Sequence, residues 1–177
     1  MDQGLHRAIA ARVAVSLLGA LLYSSSAYAI TVTKTADPAG FQSIDGCGSF
    51  CVALPMLTFD ASDFPANSLI TDVDVSITWF KTSGSCTMPT AGSTFNEEVN
   101  FRINGPASNQ VLATSIPPTW SGNVEAGLVT TVFDQSAAAI PAGTPTSGSF
   151  LPNNGDLDTY NGQPAISTWQ LFAGDSG

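Results

Sequence analysis

The strongest constraint on the fold is a strict alternation of apolar and polar side chains within residues 70–80. The apolar positions are Val73, Val75, Ile77 and Trp79, and the polar positions between them are Asp72, Asp74, Ser76 and Thr78. Successive side chains of a β-strand point to opposite faces, so this pattern predicts a strand with one buried face and one solvated face. Such a strand needs partner strands on its edges and an apolar layer against one side.

The rest of the chain repeats this signal, because short stretches rich in β-branched residues alternate with Gly, Pro, Asn and Ser. No segment carries apolar residues at helical spacing over three or more turns. The predicted strands are about eight in number, at 30–35, 50–58, 70–80, 95–103, 110–115, 128–134, 147–152 and 166–173. Short strands punctuated by turn residues are typical of an all-β sandwich or barrel.

The first 29 residues have the order of a bacterial secretory signal peptide. His6, Arg7 and Arg12 give a positive start, residues 13–22 are mostly apolar, and Ala27-Tyr28-Ala29 matches a small-x-small cleavage site. The alternative is a membrane anchor, but this apolar run falls well short of the roughly 20 residues that span a bilayer. We therefore predict an exported protein, periplasmic or extracellular, that begins at Ile30.

The charge of the exported chain excludes several classes of partner. Residues 30–177 hold three basic residues (Lys34, Lys81 and Arg102) and thirteen carboxylates, so the formal charge is 3 − 13 = −10. Such a surface repels nucleic acids and anionic lipids, so we expect no nucleic-acid partner and no membrane insertion of the mature chain. The same surface is compatible with cation binding.

Three cysteines, Cys47, Cys51 and Cys86, occur in the chain. An oxidising compartment favours disulfide bonds, and an odd number leaves one thiol over. Cys47 and Cys51 could pair with each other locally, or Cys86 could pair with either of them. A zinc site is less favoured, because the mature chain has no histidine and only these three thiols.

Histidine-based nucleophilic catalysis is excluded in the mature chain, because His6 is the only histidine and lies in the leader. Gly174-Asp175-Ser176-Gly177 matches a serine-protease pattern, but without a histidine the match is fortuitous. Asp72 and Asp74 share a strand face, about 7 Å apart along the strand, and the ordinary role of such a pair is solvation. We therefore predict a non-catalytic domain.

Calcium is the cofactor for which the residues make a case. Asn153-Asn154-Gly155-Asp156-Leu157-Asp158 offers oxygen donors at alternating positions. Asp134 ends the predicted strand that leads to this region, and Asp175 follows the predicted strand of Trp169. Calcium binds carboxylate, amide and carbonyl oxygens. The predicted ligands are Asp134, Asp156, Asp158 and Asp175. The alternative is an Asx-rich turn held by its own side chains.

Aromatic residues suggest a second type of site. Trp79 and Trp169 are in phase with the core positions of their strands, so we expect them to be buried. Trp120 follows Pro117-Pro118-Thr119 in a loop and is the expected exposed surface for stacking a sugar ring. This makes a glycan an alternative partner to a protein.

The last thirty residues resemble the P domain, or Homo B domain, of proprotein convertases and its bacterial relatives. The matching segments are Ser147-Gly148-Ser149-Phe150-Leu151-Pro152, Tyr160-Asn161-Gly162, Thr168-Trp169-Gln170-Leu171 and Gly174-Asp175-Ser176. Upstream, residues 70–79 are similar to the family's early strand. The segment Asn100-Phe101-Arg102-Ile103-Asn104-Gly105-Pro106 is similar to the family's strand that ends in a Ser-Pro-x-Gly turn. The resemblance covers about Phe64 to Gly177.

The resemblance implies a jelly-roll β-sandwich of the galactose-binding type, a domain that stabilises a neighbouring subtilisin-like protease and has no catalytic residues. Together with the predicted leader (1–29), it divides the chain into N-terminal strands with a cysteine-containing loop (30–62) and the P-domain-like sandwich (63–177). Ser167 stands where the family has glycine, and we expect no protease before the domain, because the predicted signal peptide leads almost directly into it. The family's final strand is missing, so we expect an uncovered sheet edge near Trp169 and a natural chain that continues.

Three functions follow as hypotheses. The first is a secreted, non-catalytic β-sandwich domain with a stabilising, adhesive or protein-interaction role. The second is a carbohydrate-binding module that uses loop aromatics. The third is the N-terminal part of an exported hydrolase whose active site lies beyond residue 177.

Overall fold

The computed structural model describes residues 7–20, 29–36, 41–42, 44, 48–83, 94–125 and 127–176. The described strands are β1 (Arg7–Ala20), β2 (Ala29–Ala36), β3 (Gly48–Ala53), β4 (Leu57–Phe59), β5 (Leu69–Ser83), β6 (Val99–Asn104), β7 (Asn109–Ala113), β8 (Val129–Phe133), β9 (Gly148–Phe150) and β10 (Ser167–Asp175). Two short 3-10 helices, Asn96–Glu98 and Leu157–Tyr160, complete the regular structure of these residues. The predicted all-β class is confirmed for the described chain.

The strands form two sheets that pack face to face. Sheet A has the order β2-β1-β5-β8-β9, and sheet B has the order β3-β10-β6-β7, with β4 also paired to β10. Neighbouring strands are antiparallel except for the parallel pair β8–β9. Trp79 of sheet A and Phe101 of sheet B meet in the core with ring centroids 5.3 Å apart. The two-sheet sandwich is therefore shown, while a jelly-roll connectivity stays a prediction.

The predicted alternation of β5 is confirmed. Its core-facing side chains are at most 1% exposed, and they are Val73, Val75, Ile77 and Trp79. β5 lies between β1 and β8, so both of its edges are paired. The strand continues past residue 80 to Ser83, and Lys81 takes the next position on the core-facing side.

Residues 7–20, predicted to belong to a removable leader, form strand β1 in this structure. β1 lies between β2 and β5, with Val15 opposite Val75 and Leu17 opposite Val73. Both Val15 and Leu17 are fully buried. An apolar run meets the needs of a buried strand as well as those of a signal peptide, so cleavage before Ile30 stays a prediction.

Other predicted boundaries shift for local reasons. The stretch 50–58 is divided into β3 and β4 around Pro55, which has no N–H to donate to a ladder. The strand predicted at 95–103 begins at Val99, because Asn96–Glu98 forms a 3-10 turn. β3 and β4 both pair with β10, so the predicted N-terminal and main segments share one sheet.

The expected uncovered edge beside Trp169 is not observed. β10 has β3 and β4 on one side and β6 on the other, so it is an interior strand of sheet B. Trp169 is 1% exposed, and its ring packs against Tyr160 with centroids 4.6 Å apart.

Candidate functional site: an arginine between two phenylalanine rings

The expectation that Trp120 is exposed is wrong. Its side chain is 2% exposed, and its ring lies 4.8 Å from Trp79 and 6.1 Å from Phe101 between centroids. The preceding Thr119 is held by its backbone N–H, which donates to Thr114 O at 2.8 Å. The loop therefore turns back over the end of the core, because burying an indole ring stabilises the fold more than leaving it in water. Trp120 offers no exposed ring to a sugar.

Three of the four predicted calcium ligands make local hydrogen bonds. Asp134 Oδ1 accepts from Ser136 N at 2.6 Å, and Asp156 Oδ1 accepts from Asp158 N at 3.0 Å. Asp158 Oδ1 accepts from Asn161 Nδ2 at 2.9 Å. Asp156 thereby caps the 3-10 helix Leu157–Tyr160. This hydrogen bond forms an Asx-type turn, which is the predicted alternative to a calcium site.

The fourth predicted ligand, Asp175, lies inside the sandwich, where its Oδ2 accepts from Lys81 Nζ at 2.9 Å. Among the residues that the structure describes, no group of three or more His, Cys, Asp or Glu side chains could hold a metal ion. Calcium binding by Asp134, Asp156, Asp158 and Asp175 stays a prediction.

The cysteine pairing also stays a prediction. Cys51 lies on β3, and its Sγ is 3.9 Å from Ala173 O of β10. Cys47 and Cys86 lie outside the described residues.

Arg102 forms the most distinctive cluster on the outer face of sheet B. It lies on β6 directly opposite Phe172 of β10. Its guanidinium carbon is 4.6 Å from the centre of the Phe172 ring and 5.0 Å from the centre of the Phe50 ring. Cation–π contacts at these distances hold a guanidinium against aromatic faces. We call Phe50, Arg102 and Phe172 the arginine platform.

The backbone of two strands allows the platform to form. Phe50 has a φ of 59°, and the β3–β10 register shifts between Ala173 and Asp175. A Cβ atom on Gly174 would lie 2.3 Å from Phe50 N, so only glycine lets β3 approach β10 this closely. The bulge at this point redirects Phe50 toward the arginine.

The N–H donors of the Arg102 guanidinium are not used in hydrogen bonds to any described residue. Within the described chain Arg102 makes no hydrogen bond or ion pair, and its buried Nε has no partner. The whole protein carries fourteen acidic and five basic residues, so carboxylates are abundant, yet none of the described ones pairs with Arg102. A planar guanidinium presents paired N–H donors that match a carboxylate.

Sequence reasoning missed this site, since it considered Arg102 only as one of three basic residues of the mature chain and as part of a family-like segment. The available signal was Phe172, a large aromatic residue out of phase with the core position Trp169 on the same predicted strand.

A second cluster joins the two sheets at one end of the core. Lys81 Nζ of β5 donates to Asp175 Oδ2 of β10 at 2.9 Å and to Glu98 Oε2 at 3.0 Å. The side chains of Lys81 and Asp175 are 1% and 0% exposed, and that of Glu98 is 16% exposed. Replacing Lys81 alone would remove the ammonium that pairs with the buried Asp175 carboxylate, which is costly in the interior.

No family model, curated protein or solved structure matches the chain. Among the described residues, no helix has the length and apolar character needed to cross a membrane. The resemblance to the P domain therefore stays a prediction.

Proposed function

We propose that this chain is an exported, non-catalytic β-sandwich domain of P-domain type that binds a protein partner through the outer face of sheet B. The observation that carries this proposal is Arg102, which is held between Phe50 and Phe172 and has no carboxylate partner in the part of the chain that the structure describes. Arginine and aromatic residues are enriched at protein interfaces and at the positions that dominate binding energy.

The partner group that suits the platform is a carboxylate beside an apolar or flat surface. The guanidinium would bind both carboxylate oxygens, and the rings of Phe50 and Phe172, each partly buried, would shield that pair from water. An acidic side chain of a protein partner has this chemistry. The strongly acidic remainder of the domain would repel acidic partners elsewhere, so the platform also fixes the orientation of binding.

The two-sheet architecture supports this role in a simple way. β6 and β10, which carry Arg102 and Phe172, are both interior strands of sheet B, and register pairs the two residues directly. A site on interior strands is held more rigidly than a site on a loop.

Carbohydrate binding is the second candidate function, and the same platform favours it. Aromatic rings beside a hydrogen-bond donor are a common lining of ligand sites. An acidic sugar would supply the carboxylate, with Phe50 and Phe172 rather than Trp120 contacting the ring.

Binding to two acidic polymers separates the candidates. Surface plasmon resonance would compare poly-glutamate with polygalacturonate, using polyglutamine and neutral galactan as uncharged references. Binding to poly-glutamate supports the protein partner, and binding confined to polygalacturonate supports the sugar. Arg102→Ala should weaken binding at least tenfold, because it removes a charge-assisted pair worth about 1.5–3 kcal/mol.

Two further variants test the geometry. Arg102→Lys keeps the charge but loses the planar pair of donors, so we expect only partial binding. Lys34→Gln removes the same charge at a position where the ammonium already pairs with Asp63 at 2.5 Å, and it should bind like the wild type. Failure of the wild type to bind either acidic polymer, or equal binding by Arg102→Ala, would contradict the proposal.

A further inference from the structure

The Lys81–Asp175–Glu98 cluster places an amine and two carboxyl groups in contact across the sandwich. Lys81 belongs to sheet A, whereas Asp175 and Glu98 belong to β10 and to the turn before β6 in sheet B. The Nζ atom lies 2.9 Å from Asp175 Oδ2 and 3.0 Å from Glu98 Oε2. Asp175 Cγ, one covalent bond from Oδ2, is therefore within reach of the amine.

The contact between Lys81 and Asp175 is buried and lies beside apolar side chains of the core. Asp175 is opposite Val99, which is fully buried, and Phe101 follows on the same core-facing side of β6. Lys81 follows Trp79 on the core-facing side of β5, and the Trp79 ring is packed against Phe101. An ammonium and a carboxylate in such a place bear a large desolvation penalty, whereas an amide in their place carries no net charge.

We propose that Lys81 and Asp175 join in an intramolecular isopeptide bond that links the two sheets, with Glu98 as the proton carrier. The Lys81 amine attacks Asp175 Cγ, so that the Nζ–Cγ bond forms and the Cγ–Oδ2 bond breaks. The departing oxygen leaves as one molecule of water. The pair loses two hydrogens and one oxygen in total, and no oxidant or reductant is needed.

Glu98 has the position required for the proton transfers. Its Oε2 accepts from Lys81 Nζ, so its carboxylate can take a proton from the attacking amine and deliver it to the departing oxygen. Glu98 is unchanged at the end of the step. The fold supplies the remaining requirement, because holding amine and carboxyl in contact gives an effective concentration on the order of 10⁵ M or more.

Trypsin digestion of the full chain tests the bond directly. The mature segment contains three cleavage sites, after Lys34, Lys81 and Arg102, so an unlinked chain yields peptides 35–81, 82–102 and 103–177. An acylated Lys81 is not cleaved, and its side chain is joined to Asp175. After reduction and alkylation, we expect peptide 35–102 linked to peptide 103–177, lighter by one water molecule than the sum of the two.

The sequence makes this result unambiguous. Peptide 103–177 contains no cysteine, so its linkage in a reduced digest cannot be a disulfide. An intact mass that lacks one water without the linked peptide would indicate dehydration at another position and would overturn the proposal. A digest that releases free 103–177 from the wild type would overturn it as well, leaving an ion pair only.

Three variants assign the roles. Glu98→Gln keeps Lys81 and Asp175 but removes the proton carrier, so the linked peptide should be lost or form at least tenfold more slowly. Glu97→Gln, a matched change at the neighbouring position, should link like the wild type. Lys81→Arg should restore cleavage after residue 81 and release 103–177. A normal rate of linking in Glu98→Gln would overturn the assignment of Glu98.

Discussion

Gly105 packs so closely against the indole ring of Trp169 that a Cβ atom on residue 105 would lie 2.5 Å from Trp169 Cζ3. The same atom would lie 2.6 Å from Cε1 of Tyr160. Gly105 begins the turn between β6 and β7, so the turn and the aromatic pair Tyr160–Trp169 depend on each other.

Gly105→Ala should therefore destabilise the domain through overpacking rather than through a change in backbone conformation. We expect a loss of about 1–3 kcal/mol in the free energy of unfolding, measured by urea denaturation. Ala107→Ser, an exposed change in the same turn, is the control and should stay within about 0.5 kcal/mol of the wild type. Equal stability of Gly105→Ala and the control would show that the aromatic pair moves aside at no cost.

Tyr160→Phe should remove a buried hydrogen bond and leave the ring in place. The Tyr160 hydroxyl donates to Ser108 O at 3.1 Å, and burial raises the pKa of the phenol to about 12. We expect a loss of about 1 kcal/mol in thermal or urea denaturation, since the Ser108 carbonyl keeps only its hydrogen bond from Gly105 N. Tyr160→Leu also removes the ring contact with Trp169, so it should lower the free energy of unfolding clearly more than Tyr160→Phe does. A smaller loss for Tyr160→Leu than for Tyr160→Phe would contradict this account.

Asp74 should make stability depend on pH between about 4 and 7. Burial, followed by the nearby carboxylates of Asp72 and Asp134, raises the pKa of Asp74 from 3.8 to about 6. At pH values between 3.8 and about 6, the carboxyl group of Asp74 is protonated in the folded chain and ionised in the unfolded chain. The contribution of Asp74 to the free energy of unfolding therefore falls as pH rises through about 6.

Asp74→Asn removes this titration. Urea denaturation at a series of pH values should show that the free energy of unfolding of the variant rises relative to that of the wild type as pH rises from about 4 to 7. Asp72→Asn leaves Asp74 in place but removes one neighbouring charge, so the fall in stability should move to lower pH. A difference between Asp74→Asn and the wild type that does not change with pH would contradict the prediction.

Strand β1 should contribute to the stability of the uncleaved chain. Leu17→Asp places an unpaired charge where the wild-type side chain is fully buried, and we expect a loss of at least about 3 kcal/mol. Thr31→Asp, on the exposed face of β2, is the matched control and should have little effect.

Removal of the predicted leader extends this test. A chain that begins at Ile30 lacks Val15 and Leu17, whose burial is worth about 1.5–3 kcal/mol each, and it exposes the paired edge of β5. We expect a lower melting temperature than for the full chain, and an added peptide of residues 7–20 should raise it in a concentration-dependent way. Identical melts of the two chains would show that β1 does not stabilise the sandwich.

Local pattern explains which parts of the fold could be predicted. The alternation along residues 73–79 predicts a half-buried strand, because a period of two is a property of the strand itself. The apolar positions of this pattern are Val73, Val75, Ile77 and Trp79. The all-β class follows from several such stretches and from their turn residues. The same local reasoning places Trp169 in the core, which the structure confirms.

Residues 7–20 show that a local pattern can fit two different structures. An apolar run with small residues satisfies both a translocation signal and a buried strand, because both require the removal of apolar side chains from water. The sequence of residues 7–20 therefore predicts apolar surroundings without specifying which strands adjoin them.

The sequence by itself determined the all-β class, the buried face of β5 and the strongly acidic surface. Only the tertiary structure decided that Trp120 is buried, that Arg102 meets Phe172, and that Lys81 meets Asp175 across the two sheets. The physical reason is distance along the chain: periodicity orients a side chain within its own strand, whereas its neighbours depend on strand order and register. Those are set by how all the strands together bury one common core.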